Sequence, residues 1–227
     1  MNLPAELVIA LLVWGTLVGV DLVSLPQMMI ARPLVAGTVA GALIGDIGAG
    51  LTLGVVFELL QYDILPVGAV RYPEYGPATV AAVATAHASA GVLGVGLGAL
   101  VGLLTGLIGG VTIHLMRRIN SAAVHRATPL LETGDSRALV RLHVAALLRD
   151  VLRACAVTAL GLGLAAAARP LLSGVLTTRD ATLLAVAAVG AALAAGAAGT
   201  LRLVGHGRSL AWFAAGLGGG MVVVWLR

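Results

Sequence analysis

The sequence predicts an all-α polytopic membrane protein of roughly six to eight membrane segments, some broken or re-entrant, packed through glycine. Three observations predict it. Hydrophobic residues make up 59% of the 227 positions and charged residues only 11%, with a mean hydropathy of +1.04, far above the soluble average. The apolar runs have helical length and are separated by short polar or Pro/Gly breaks. Glycine, at 31 positions, recurs in register along two of those runs. The whole of 1–227 reads as one integral membrane domain, with a polar cytoplasmic connection at about 114–153.

Charge distribution excludes a nucleic-acid surface. The net charge is +4, yet lysine is absent and seven of the 14 basic residues are arginines between Arg117 and Arg153. Such a cluster beside apolar spans marks a cytoplasmic connection under the positive-inside rule, whereas nucleic acid requires a basic face on a soluble domain. The lone Cys155 rules out an internal disulfide and multi-cysteine metal sites. It reads as a small buried apolar residue.

In chain order, the N-terminus lacks a basic region before its long apolar run, so it reads as a first membrane segment ending near Asp21 rather than a cleaved signal. Residues 24–31, SLPQMMIA, form a broken connection, and Arg32-Pro33 opens the next helix with proline in its first turn. Gly37, Gly41 and Gly45 repeat on one face, and Asp46 separates that helix from a second short run to Leu60. Two short pieces around a Gly-Asp turn predict a re-entrant or broken hairpin. A short run from Thr79 to Ala90 follows the polar stretch described below. Gly94, Gly98, Gly102, Gly106 and Gly110 then form a five-member stripe, which predicts a tight helix–helix contact.

From His114 to Arg153 the chain is polar. An amphipathic helix lying at the interface is expected over about 137–150, after a Thr133-Gly134 break with Asp135 or Ser136 as N-cap. A span from Cys155 to Ala168 ends at Arg169-Pro170. An alanine-rich span covers Ala181 to Leu201, a basic turn holds Arg202, His206 and Arg208, and a last span covers Leu210 to Leu226.

The chemistry concentrates in Phe57 to Ala78, FELLQYDILPVGAVRYPEYGPA, which holds all three tyrosines and the charges Glu58, Asp63, Arg71 and Glu74. Pro66, Gly68, Pro73, Gly76 and Pro77 interrupt helix through it. Charge and broken backbone at membrane depth mark the wall of a polar site. Gln61 lies one turn beyond Glu58, and carboxylate with carboxamide suits sugar hydroxyls, which both donate and accept. Asp63, Arg71 and Glu74 also admit a reading as loop charges that pair with one another. Tyr62, Tyr72 and Tyr75 divide between an aromatic belt and sugar stacking. The five histidines are scattered, and no P-loop, nucleophile elbow or zinc motif occurs, so neither a catalytic centre nor a cofactor is read.

Arg32-Pro33-Leu34, Gly45-Asp46, Phe57-Glu58, Gly68-Ala69 and Pro73-Glu74, in this order, resemble the enzyme IIC component of the mannose–fructose–sorbose class of phosphotransferase systems. The later LHVAALLRDVLRACAV resembles the family's segment around a Trp-Ile-His triplet. The resemblance implies a membrane subunit, not catalytic alone, in the inner membrane of a bacterium. With enzyme IID it would translocate a hexose-type sugar that soluble IIA and IIB subunits phosphorylate, as a homo-oligomer of the IIC–IID complex. Glu58, Gly68, Pro73 and Glu74 match motif positions, and together with Gln61, Asp63, Arg71 and Tyr72 they form the expected substrate site. Asp63, Pro66, Arg71 and Tyr72 depart from the mannose-type pattern, so mannose specificity does not carry over. A transporter without phosphoryl transfer, or a degenerate regulatory or scaffolding subunit, are the other readings of the sequence.

Overall fold

The structure, a computed structural model, describes residues 3–62, 64, 70–89, 91–172, 175–204, 211 and 215–216, and every regular element among them is an α-helix. The helix α1 (Ala5–Asp21) carries Glu6 in its first turn, where the helix dipole favours an acid. At its other end the buried Asp21 carboxylate accepts the backbone N–H groups of Met28 at 2.7 Å and Ala31 at 3.0 Å. That single side chain folds the following connection back onto the bundle. The same connection holds Gln27 and Met29 at positive φ, 58° and 63°, a backbone region that costs a non-glycine residue of order 1–3 kcal/mol.

The broken hairpin is present as α2 (Pro33–Ile44) and α3 (Ile47–Gln61). Pro33 occupies the first turn of α2. Gly45, at φ 75°, ends α2 in the left-handed conformation, and Asp46 N–H returns to Gly41 O at 2.8 Å. The Asp46 side chain then caps α3 by accepting Ala49 N–H at 3.0 Å. A Cβ on Gly37 would sit 2.6 Å from Gly50 O, so small residues set the distance between the two half-helices. Gly45 does not take part in that contact; its role is the turn.

The centre of the molecule is α4 (Tyr75–Ser89), buried at every position from Tyr75 to Ala86. A short helix with no polar face is stable only when surrounded, and α4 touches α1, α2, α3, α5 and α6. Gly76 and Pro77, expected to break helix, instead lie in its first turn, where a missing N–H costs nothing. Helix α5 (Gly91–Glu132) runs antiparallel to α4, and the glycine stripe is the contact. Cβ atoms on Gly94 and Gly98 would meet Ala86 O at 2.6 Å and Ala82 O at 2.7 Å, and one on Gly110 would meet Tyr72 O. Phe57 fills the notch at Gly102.

The expected interfacial helix is not a separate element. Helix α5 has 42 residues and α6 (Ser136–Leu172) has 37. At 1.5 Å per residue they span about 63 Å and about 55 Å, well beyond a hydrocarbon core of about 30 Å. The polar segment is therefore the protruding half of an antiparallel helix pair, turned by Gly134 at φ 79°. The predicted N-cap forms there, with Asp135 Oδ1 accepting Arg137 N–H at 2.9 Å and Ala138 N–H at 3.3 Å. Across the pair Arg149 donates to Asn120 Oδ1 at 2.9 Å. Helix α6 also continues through Arg169-Pro170 to Leu172.

Helix α7 (Thr178–Val204) completes the described bundle, packing on α5 and α3. Among the described residues three helices are long and apolar enough to cross a membrane, within α5, α6 and α7. The expected six to eight spans are not reached on that criterion, because α2 and α3 are half-length and α4 is an internal core helix. Residues 210–226 lie almost wholly outside the described residues, as do His206 and Arg208.

Candidate functional site

The open end of the α2–α3 hairpin, opposite the Gly45-Asp46 tip, brings the N-terminus of α2 beside the C-terminus of α3. Glu58 there accepts from the Arg32 guanidinium and from Leu34 N–H, the latter at 3.2 Å. The carboxylate thus meets both an arginine and the positive end of α2. A cavity of about 290 Å³ opens next to this pair, lined by Asp21, Gln27, Met29, Arg32, Gln61 and Tyr62 among others. It combines a guanidinium, two carboxamides, a carboxylate and a phenol, which are donors and acceptors suited to a polyhydroxylated ligand. A larger cavity of about 420 Å³ between α5 and α6 is lined mainly by apolar side chains, with Thr112, Arg149 and Arg153 at its wall. Size alone does not make that one the site, since a polar ligand needs convergent polar groups.

Of the sequence-predicted site residues, Gln61 lines the polar cavity directly and Glu58 reaches it through Arg32. Arg71, Tyr72 and Pro73 line a different cavity of about 410 Å³, on the α5 side of the connection. Tyr72 forms the partition, because it also lines a narrow cleft with Gln61 and Pro73. Its phenol oxygen accepts from Arg117 at 3.2 Å, and the guanidinium lies 5.8 Å from the ring centroid. Burial pushes the Tyr72 phenol above its ordinary range, with Arg117 opposing. Tyr75 is a core residue, its ring 5.8 Å from that of Phe57, so neither it nor Tyr72 belongs to an aromatic belt. Tyr62 is exposed and lines the polar cavity. Asp63 and Gly68 lie outside the described residues.

Glu74 has another partner altogether. It is fully buried, and its oxygens accept from Arg153 at 2.6 and 2.9 Å in a bidentate pair. Arg153 also donates to Asp150 Oδ1 at 2.8 Å and Gly19 O at 3.2 Å. The other Asp150 oxygen accepts from the Ser24 hydroxyl. This network joins α1, the 70–74 connection and α6, and both Glu74 oxygens are occupied within it. It is the constellation that sequence reasoning missed, together with Gln27, Asp21 and Arg32 at the cavity. Asp150, the one acid in α6, with Arg153 three residues on at the edge of the apolar run that follows, was the available signal, since charges entering an apolar segment require partners.

Comparison with known proteins gives a consistent picture. Residues 7–219 match the family described as PTS system sorbose-specific IIC component. The mannose-specific EIIC component of Escherichia coli is 26% identical over 129 residues, 57% of this chain and 48% of that protein. The sorbose-specific EIIC component of Lacticaseibacillus casei is 28% identical over 146 residues, 64% of this chain and 52% of the relative. The fructose permease IIC component of Bacillus subtilis is 28% identical over 146 residues, 64% and 53% respectively. The chain therefore matches about half the length of these curated relatives. In fold it is similar to a solved membrane protein, with a TM-score of 0.70 at 19% identity over 99% of this chain and 96% of the other. It is also similar to a chain of the mannose transporter ManYZ bound to a microcin, with a TM-score of 0.55 at 21% identity over 100% and 96%.

Proposed function

The chain belongs to the sorbose-type IIC family of sugar phosphotransferase systems and is a multi-pass membrane protein, and on that premise we propose that it binds a hexose-type sugar and passes it across a bacterial inner membrane. In this reading it works with an enzyme IID subunit, in an oligomer of IIC–IID complexes, and is coupled to phosphorylation by IIA and IIB. Its own role is binding and passage, and the phosphoryl-transferring histidines belong to IIA and IIB. The observation that carries the proposal is the family match over residues 7–219. The polar cavity at the base of the hairpin supports the location of the site.

Hydroxyls of the sugar would hydrogen-bond to Gln61, Gln27 and Tyr62, with the Arg32–Glu58 pair supplying a donor and an acceptor of opposite charge at the rim. Half-helix ends meeting at a polar cavity are a recurrent way to hold a ligand within a membrane. The α5 stripe orders the molecule along the membrane normal: Gly94 lies level with the far end of α4, Gly110 with Tyr72, and the arginines from Arg117 onward beyond that. Under the positive-inside rule the hairpin base therefore faces the cytoplasm, on the side where phosphorylation by IIB would occur.

The test is phosphoenolpyruvate-dependent uptake into vesicles carrying this chain with its IID, IIA and IIB subunits, scanning hexoses and amino sugars. Accumulation of sugar phosphate that requires this chain is the expected result. An assembled complex with phosphorylated IIB and no uptake of any sugar would overturn the proposal in favour of a regulatory or scaffolding subunit. Uptake that persists without phosphoenolpyruvate would place the chain among transporters that work without phosphoryl transfer.

A further inference from the structure

The second polar cavity, of about 410 Å³, has a different chemistry from the first. Arg71, His114 and Arg118 line it with the Tyr72 ring, and Arg117 stands behind that ring. No carboxylate among the described residues lines it. Arg71 and Arg118 make no ion pair among the described residues. Arg118 follows His114 by four residues, so one face of α5 presents both groups to the cavity, while Arg71 approaches from the 70–74 connection. Both arginines are exposed, and two separate elements bring them to the rim of one cavity.

A further observation points to a ligand. His114 Nε2 is buried with no hydrogen-bond partner among the described residues, and buried polar atoms in folded proteins are overwhelmingly paired. A neutral sugar would gain nothing from the charge of the two guanidinium groups. An anion with several acceptor oxygens would neutralise them beside the imidazole. Guanidinium groups suit phosphate in particular, because their planar N–H pairs match two phosphate oxygens at once. The cavity lies where α5 leaves its apolar segment, the depth at which basic pockets between membrane helices meet headgroups.

We infer that the cavity lined by Arg71, His114 and Arg118 is an anion site that takes a phosphate group, borne either by a lipid headgroup or by a soluble phosphate ester. Arg71 and Arg118 hold the phosphate oxygens from two sides, with the His114 imidazole in the wall between them. Tyr72 separates this anion from the neutral ligand of the hairpin cavity, its hydroxyl engaged by Arg117 on the basic side.

The experiment uses the full chain in phosphate-free polyoxyethylene detergent micelles, titrated calorimetrically with inorganic phosphate, glucose 6-phosphate and dioctanoyl phosphatidylglycerol. Glucose serves as the neutral control. Saturable binding of at least one phosphate-bearing probe is expected, weakened at least tenfold by Arg118→Gln and further by Arg71→Gln/Arg118→Gln. Arg126→Gln, an exposed arginine on the protruding helix pair, leaves it unchanged. Arg71→Lys/Arg118→Lys keeps the charge and provides a folded comparator for loss of the fork geometry. Binding of the soluble esters identifies a free phosphate ligand, and binding of phosphatidylglycerol alone identifies a headgroup. The inference falls if no probe saturates, if glucose competes with equal affinity, or if the double glutamine variant binds like the original chain.

Discussion

Two arginine–carboxylate pairs, Arg153–Glu74 and Arg32–Glu58, have the same chemistry and opposite surroundings. Side-chain exposure is 7% and 0% in the first and 46% and 17% in the second. The Arg153 guanidinium donates to Glu74, Asp150 and Gly19 within the bundle, and both Glu74 oxygens accept from it, although the arginine also borders the largely apolar α5–α6 cavity. Arg32 faces a cavity and has donors to spare. Charge in an apolar chain thus has two meanings, and burial separates them. A pair closed on itself fixes the positions of helices, whereas a pair at a cavity rim can share its hydrogen bonds with a ligand.

The largest test of that distinction is Arg153→Met. It leaves Glu74 and Asp150 as neighbouring buried carboxylates without a cation, and breaking a buried pair in this way costs about 3–5 kcal/mol. A severe drop in melting temperature in detergent, or failure to yield monodisperse protein, is expected. Melting like that of the original chain would break the comparison at its stronger end. Glu74→Gln should cost less, about 2–3 kcal/mol, because the cluster carries two carboxylates on one guanidinium and the remaining Arg153–Asp150 pair is neutral. Ser24→Ala removes a single donor at the periphery of the network, on Asp150, and should cost about 1–2 kcal/mol. A Ser24 effect larger than that of Glu74 would mean that the network is organised around Asp150 rather than Glu74.

The sequence makes some of this legible and some not, for a physical reason. The α2–α3 turn, the five-glycine stripe and the Asp135 cap are written in residues a few positions apart, and each forms as expected. The Glu74–Arg153 pair joins positions 79 apart, and no local pattern specifies a partner at that distance. Read alone, Glu74 looks like a site residue and Arg153 like one more arginine of a cytoplasmic cluster. The polar stretch expected to hold the substrate does not form a single wall. Gln61 faces the hairpin cavity, Arg71 faces the basic one, and the Tyr72 ring between them has no sequence signature. Span counting by hydropathy stumbles on α4, which is apolar because helices rather than lipid surround it.

The smallest expected change in stability is at Glu58, and it is the most informative about function. Glu58→Gln keeps the size of the side chain and an oxygen able to accept from Leu34 N–H, and removes only the charge facing Arg32. A partly exposed pair of this kind contributes about 0–1 kcal/mol, so melting and membrane insertion should stay close to those of the original chain. If the pair contacts the sugar, the lost charge-assisted hydrogen bond, about 1.5–3 kcal/mol, should lower uptake roughly tenfold or more. A Glu58→Gln protein as unstable as Glu74→Gln would show that the rim pair is structural as well, and the comparison would collapse. Wild-type uptake kinetics in a stable variant would remove Glu58 from the site while leaving Gln61 and Gln27 to hold the ligand. Only the combination of unchanged melting and impaired uptake assigns the exposed pair to the substrate and the buried one to the fold.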